Sequence, residues 1–290
     1  MANLKDIRNR ISSVKSTMQI TNAMKMVSAA KLKKAQEAIE NMRPYADKLN
    51  ELLVSLSAGI DTSEGNPYAE ERPLKKVLLV SITSNRGLCG ALNSNVIKET
   101  QTAADNFKQK GVEVDVLTVG KRAFDLLKKQ YNVVRNDSAI FDRDVDYDKA
   151  MDTAGFIMDA FAKGEYDAVY LIYNEFVNPA VQRVRNERFL PVAKPQGEGT
   201  AVADFIFEPS RQQIVDELIP KSLKTRFFRT LRDAWASEHG ARMTAMHKAT
   251  DNAKEMAAEL TLQYNKARQA VITGEILEIV SGAEALKNQG

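Results

Sequence analysis

Over residues 3–57, apolar or small positions recur as Leu4, Ile7, Ile11, Val14, Met18, Thr21, Lys25, Ser28, Leu32, Ala35, Ile39, Met42, Ala46, Leu49, Leu53 and Leu56. The steps alternate between three and four, the heptad spacing that keeps one stripe of a helix against a partner helix. No glycine precedes Gly59, and the only proline is Pro44, expected to kink the helix because it removes a backbone donor. Residues 1–58 are therefore predicted to form an N-terminal coiled-coil helix, roughly 80 Å long at ~1.5 Å per residue. The rest of the chain cannot cover that length, so the helix is expected to lie in a coiled coil and project from the body. The seam turns polar at Thr21, Lys25 and Ser28, beside Met24, Met26, Ala29 and Ala30. Polar seam residues can fix register; alternatively, this stretch faces other subunits as well as its partner helix.

A second long helix is predicted over 210–286, with Ser210 as N-cap and Asp216 and Glu217 in its early turns. Pro220 is expected to bend or interrupt its beginning. Leu223, Phe227, Phe228, Leu231 and Trp235 then form a stripe for packing against the body. Farther on, Ala241, Ala245, Ala249, Ala253 and Ala257 recur every four residues, a ribbon that winds around a 3.6-residue helix and lets a neighbour approach closely. Met243, Met246 and Met256 make that surface adaptable. Gly240 and Gly274 each weaken such a helix by about 1 kcal/mol relative to Ala.

The intervening residues, 74–208, change period. Buried or alternating strands are predicted at 76–82, 112–119 and 166–173, with two more near 180–189 and 202–207. Helical patterns fall near 91–110, 121–130 and 147–163, so the segment reads as an α/β globular domain. Residues 59–73 and 194–200 have loop composition.

Charge adds one point. The net charge is only +3, but the first 36 residues carry eight Lys or Arg against one acid, Asp6. A basic end on a nearly neutral chain points to an acidic partner or to a solvated helix face. With a single cysteine, Cys89, no internal disulfide can form, and a reducing compartment is expected. No apolar run reaches the ~18 residues of a membrane span. The opening residues carry no secretory or transit-peptide pattern, so a soluble chain is expected, one able to dock on a membrane machine.

The best candidate for chemistry is Ser84-Asn85-Arg86-Gly87-Leu88-Cys89-Gly90, after a strand and before a helix, where α/β folds bind phosphate. Its spacing fits neither glycine-rich phosphate motif, and no lysine follows Gly90, so a tight structural turn is the better reading. Cys89 lacks a nearby base, since the two histidines, His239 and His247, lie far along the chain. Those histidines have no third ligand for zinc. Asp142, Asp144, Asp146 and Asp148 alternate like a calcium loop, but Tyr147 and Thr153 replace its Gly and Glu; the stretch reads as solvated acid ahead of a helix. No catalytic, cofactor-binding or metal residue is assigned.

Three segments resemble the γ subunits of F-type ATP synthases. They are 7–14 continuing through 20–32 (Ile20-Thr21-Asn22-Ala23-Met24-Lys25-Met26-Val27-Ser28-Ala29-Ala30-Lys31-Leu32), the turn at 84–93, and the tail at 237–253 with 272–285. Order and spacing match along essentially the whole chain. Asn85 stands where the family often has Asp, and the middle domain lacks the cysteine pair of the thiol-regulated chloroplast type. The resemblance implies a long antiparallel coiled coil of the two terminal helices plus a Rossmann-like α/β domain. It implies a non-catalytic central-stalk rotor that transmits rotation between an ion-driven membrane ring and the catalytic sites. The implied partners are the catalytic and non-catalytic subunits (β and α), the ε subunit and the ring of c subunits, on the cytoplasmic face of a bacterial energy-transducing membrane. No cofactor, nucleic acid or lipid insertion is implied. By the same resemblance, Met24, Lys25 and Met26, with Arg242, would meet acidic segments of the catalytic subunits. Gln269 and Thr273 would meet catalytic-subunit loops; Ile272, Ile276, Leu277 and Val280 would sit in an apolar bearing; Phe207 and Glu208 would meet the ring. Two other classes compete: a nucleotide-binding regulator using the 84–90 turn, and a free-standing coiled-coil scaffold.

Overall fold

The computed structural model describes residues 4–57, 67–192 and 211–287. A five-stranded sheet has the order β3-β2-β1-β4-β5, from β1 (Lys76–Ile82), β2 (Glu113–Val119), β3 (Asn132–Asn136), β4 (Ala168–Asn178) and β5 (Val181–Leu190). β1, β2, β3 and β4 pair in parallel, and β5 runs antiparallel along β4. The helices are α1 (Leu4–Ser57), α2 (Leu92–Gln109), α3 (Lys121–Leu127), α4 (Tyr147–Ala162) and α5 (Arg211–Lys287).

The central strand explains the layering. Leu78, Val80 and Ile82 of β1 pack into a core with α4, with Leu32 and Ala35 of α1, and with Leu223, Phe227, Leu231 and Trp235 of α5. The alternate residues Val77 and Leu79 pack against Val96, Ala103 and Ala104 of α2. A strand covered on both faces has no polar side, which is why β1 reads as a continuous apolar run. The stripe predicted for the second helix thus serves the body as expected.

The chain forms two compact units, residues 1–27 with 244–290, and residues 28–243. In each, α1 lies against α5. Thr21 and Thr250 hydrogen-bond through their hydroxyls at 2.8 Å in the first unit. In the second, the Lys31 ammonium lies 5.5 Å from the Trp235 ring, whereas Leu49 lies beside Arg226 and Arg229, so the helices run antiparallel there. Wherever its side chains are described, the seam from Leu4 to Leu49 is buried or half-buried. Thr21 is a buried seam position answered by a polar partner, a register-fixing arrangement.

Three expectations need correction. Pro220 does not interrupt its helix: both long helices run on through Pro44 and Pro220. Packing outweighs the missing donor near Pro220, where Ile219 and Leu223 insert into the core. β3 was not foreseen: it is a short, polar edge strand that owes its conformation to pairing with β2. The acidic stretch is not simply solvated, because Asp146 caps α4 by accepting from the Lys149 N–H and Asp144 is paired on two sides. The expected cap Ser210, the strand near 202–207, and the loops at 59–66 and 194–200 lie outside the described residues.

Gly120 joins β2 to α3 at φ 105°, and a Cβ there would lie 2.0 Å from the Thr83 carbonyl oxygen. Gly120→Ala is expected to cost about 2–3 kcal/mol in urea unfolding. Gly155→Ala, in α4 with open space around it, is expected to stabilise by up to about 1 kcal/mol.

Candidate functional site

The 84–90 turn leaves the C-terminal end of β1, next to the point where strand order reverses. Doubly wound sheets place their ligands there. The turn is knitted by its own side chains. The Ser84 N–H donates to Asn93 Oδ1 at 2.9 Å, and Ser84 Oγ donates to the Arg86 carbonyl at 2.6 Å. Asn85 donates to the Ser138 carbonyl at 2.9 Å and accepts from the Lys121 N–H at 3.0 Å. Leu88 takes a left-handed φ of 64° and is 65% exposed.

A phosphate cradle turns N–H groups inward. Here the Arg86 and Gly87 carbonyls face inward and accept from Arg242 Nη2 of α5 at 3.4 and 3.3 Å. Arg242 Nη1 also donates to Glu238 Oε1 at 2.6 Å, and these two side chains are 9% and 8% exposed. Cys89, Leu92 and Ala241 pack together beside them. A side chain of the chain's own helix therefore fills the mouth of the turn, whose inward carbonyls have the wrong polarity for an anion. Burial pushes the Cys89 thiol up, the opposite of what a nucleophile needs. Among the described residues no group of three His, Cys, Asp or Glu could hold a metal ion.

Glu238 was missed by sequence reasoning, and His239 was weighed there only as a base or a zinc ligand. Glu238 looks like any surface carboxylate until α5 is placed against the turn. His239 is 4% exposed with its ring edge on Trp235, and both ring nitrogens lack a hydrogen-bond partner. Burial pushes its pKa down to about 3; Arg242 and Lys31 push the same way, and Asp144 opposes them. In the same unit, Asp233 lines a cavity of about 410 Å³ with Tyr173, Glu175, Arg226 and Arg229. Burial pushes its carboxyl up to about 6, against the pull of Arg229.

The other expected contact residues fall in the unit of 1–27 with 244–290. Met24 and Lys25 are half-buried, and Met26 is 63% exposed. Gln269, Thr273 and Ile276 lie exposed on α5. Near them Ile272, Leu277, Ile279 and Val280 are also exposed, giving an apolar helix end that no described residue covers. Phe207 and Glu208 lie outside the described residues.

A long helix pair seated in an α/β body, with the sheet's ligand edge filled from within, defines a structural subunit rather than a nucleotide-binding one. Comparison with known proteins agrees. The ATP synthase family model matches residues 3–286. The ATP synthase gamma chain of Flavobacterium psychrophilum is 58% identical over 99% of this chain and 100% of its own length. That of Geotalea uraniireducens is 44% identical over 99% of this chain and 100% of its own length. A chain from the Euglena gracilis mitochondrial ATP synthase shares the fold at TM-score 0.66 and 20% identity, over 98% of this chain and 94% of that one. A chain from the Tetrahymena thermophila mitochondrial ATP synthase central stalk and c-ring matches at TM-score 0.57 and 25% identity, over 79% of this chain and 99% of that one. The chain belongs to the ATP synthase γ-chain family, the non-catalytic central-stalk rotor subunits of F1Fo ATP synthase.

Two predictions follow from the buried charges. Removing Glu238 alone leaves Arg242 buried without its counterion, so Glu238→Leu is expected to cost about 3 kcal/mol or more; Glu238→Leu with Arg242→Met is expected to cost less, in a double-mutant cycle by urea unfolding. The second prediction concerns pH. His239 has a folded pKa of about 3 against an ordinary 6.5, so its contribution is complete above 6.5 and lost as pH falls toward 3. Asp233 has the reverse sign: its folded value of about 6 exceeds the ordinary 3.8, so its contribution is present below 3.8 and lost as pH rises through 6. His239→Leu should therefore flatten the acid loss by up to roughly 3 kcal/mol, and Asp233→Asn should steepen it, in unfolding curves from pH 7 to 4.

Proposed function

We propose that the chain turns inside a ring of catalytic and non-catalytic ATP synthase subunits, its helix pair serving as shaft. Its α/β body joins the shaft to the membrane ring of c subunits, with the ε subunit beside it. One asymmetric shaft presents a different surface to each catalytic site, so the sites differ in conformation and nucleotide affinity. Rotation exchanges those states, because a partner biases a conformation only by contacting its states differently. Ion flow through the ring drives the rotation toward synthesis. The chain acts peripherally on the cytoplasmic face of a bacterial membrane; no described helix is long and apolar enough to cross one.

The observation that carries this reading is the uncovered apolar end of α5 around Ile272–Val280, in a chain otherwise able to bury its core. Exposed apolar surface of this kind marks a partner site. Apolar contact suits a rotating bearing, because directional bonds would create angular traps. Met24, Lys25 and Met26, with the basic first 36 residues, face the catalytic subunits' acidic segments in this reading, as Gln269 and Thr273 face their loops. Arg242 already spends its guanidinium inside the chain, so its contribution to such contacts is indirect.

Co-expression with the α and β subunits of the same genome tests the assignment. A 3:3:1 complex whose ATPase turnover depends on this chain is expected; subunits equally active without it would overturn the assignment. Ile276→Asp with Leu277→Asp should lower complex yield or turnover several-fold. It should change the unfolding free energy of the free chain by less than about 0.5 kcal/mol, since both positions are exposed.

A further inference from the structure

Three loops leave the C-terminal ends of parallel strands, and each takes hold of the long helices. The turn after β1 accepts Arg242 of α5 on the Arg86 and Gly87 carbonyls. The segment after β3 stacks Phe141 on Trp235 of α5, centroids 5.6 Å apart, and then presents Asp144. That carboxylate meets Arg232 of α5 at 2.7 Å through Oδ1 and Lys34 of α1 at 3.2 Å through Oδ2. The tip joining β4 to β5 presses on Gly240: a Cβ there would lie 3.2 Å from the Phe176 ring and 3.3 Å from Pro179 Cα. Below the tip, Ser237 Oγ donates to the Asn174 carbonyl at 2.9 Å.

We propose that these three loops form the joint through which torque passes between the helix pair and the α/β body, with Asp144 and Glu238 as its positioning residues. The proposal rests on the rotor reading above. A shaft turning about its own axis loads the body sideways along the helix surface. Apolar packing is non-directional and resists such sliding only through shape. Asp144 binds both helices with one carboxylate, so the pair cannot turn against the body without parting two ion pairs. Glu238 holds the Arg242 guanidinium against the turn after β1. Gly240 lets the third loop sit closely enough to block the remaining direction.

The test uses complete ATP synthase in sealed vesicles and reads ions pumped per ATP hydrolysed. In Asp144→Asn with Glu238→Gln, hydrolysis should stay within about twofold of wild type while the pumping ratio falls about threefold or more, since the catalytic ring still receives the helix pair. Asp144→Glu should recover most of the ratio. An unchanged ratio in a fully assembled double variant overturns the joint. If the double variant does not assemble, Lys34→Gln, which removes an exposed partner, should lower the ratio by itself, and an unchanged ratio there overturns the joint equally. Wild-type vesicles that hydrolyse without pumping would count against the rotor reading instead.

Discussion

The guanidinium of Arg242 sits where an α/β sheet ordinarily receives a ligand, and much of the architecture around it follows. Two carbonyls of the turn after β1 point at it, Glu238 neutralises it, and Cys89, Leu92 and Ala241 exclude water beside it. A buried arginine is tolerated only when its donors find acceptors and its charge finds a partner. Meeting those demands forces the turn, the start of α2 and one stretch of α5 into a single arrangement. The outcome is a doubly wound sheet that holds a helix at the edge where such sheets ordinarily hold a ligand.

That arrangement fits a γ chain of ATP synthase. A rotor needs no chemistry of its own, and the catalytic candidates of this sequence dissolve on inspection: Cys89 is buried with a raised pKa, and the glycine-containing turn offers carbonyls. The histidine without hydrogen bonds, His239, shows the cost of the same packing. Its ring fills space beside Trp235, and burial, with Arg242 and Lys31 pushing the same way, keeps it neutral.

Division of labour along α5 is equally clear. Between Leu223 and Ala241 its side chains are mostly buried within the unit of 28–243, through apolar packing and the ionic contacts of Arg232 and Arg242. Between Val271 and Val280 the same helix exposes six large apolar side chains. One continuous element thus changes from a core-forming surface to one that needs other molecules. Gly240 belongs to the first regime, where the missing Cβ admits the tip between β4 and β5, so its intrinsic cost to the helix is offset by close packing.

Sequence by itself determined the elements whose pattern is local. The heptad seam of α1, the apolar run of β1 and the core stripe of α5 are periodic, and periodicity follows from the geometry of a single helix or strand. It also placed the chain in its family, through long terminal segments whose residues match in order. Tertiary structure alone decided the rest. β3 is a strand because β2 lies beside it, and α5 runs on through Pro220 with Ile219 and Leu223 packed into the core. Asp144 looked like one solvated acid among four until Lys34 and Arg232, far away in sequence, were brought to its two oxygens. Arg242 gave no sign of its carbonyl and carboxylate partners until the turn after β1 closed on it. In each case the deciding partner lies tens to hundreds of residues away, and no spacing rule within one segment encodes a contact between segments.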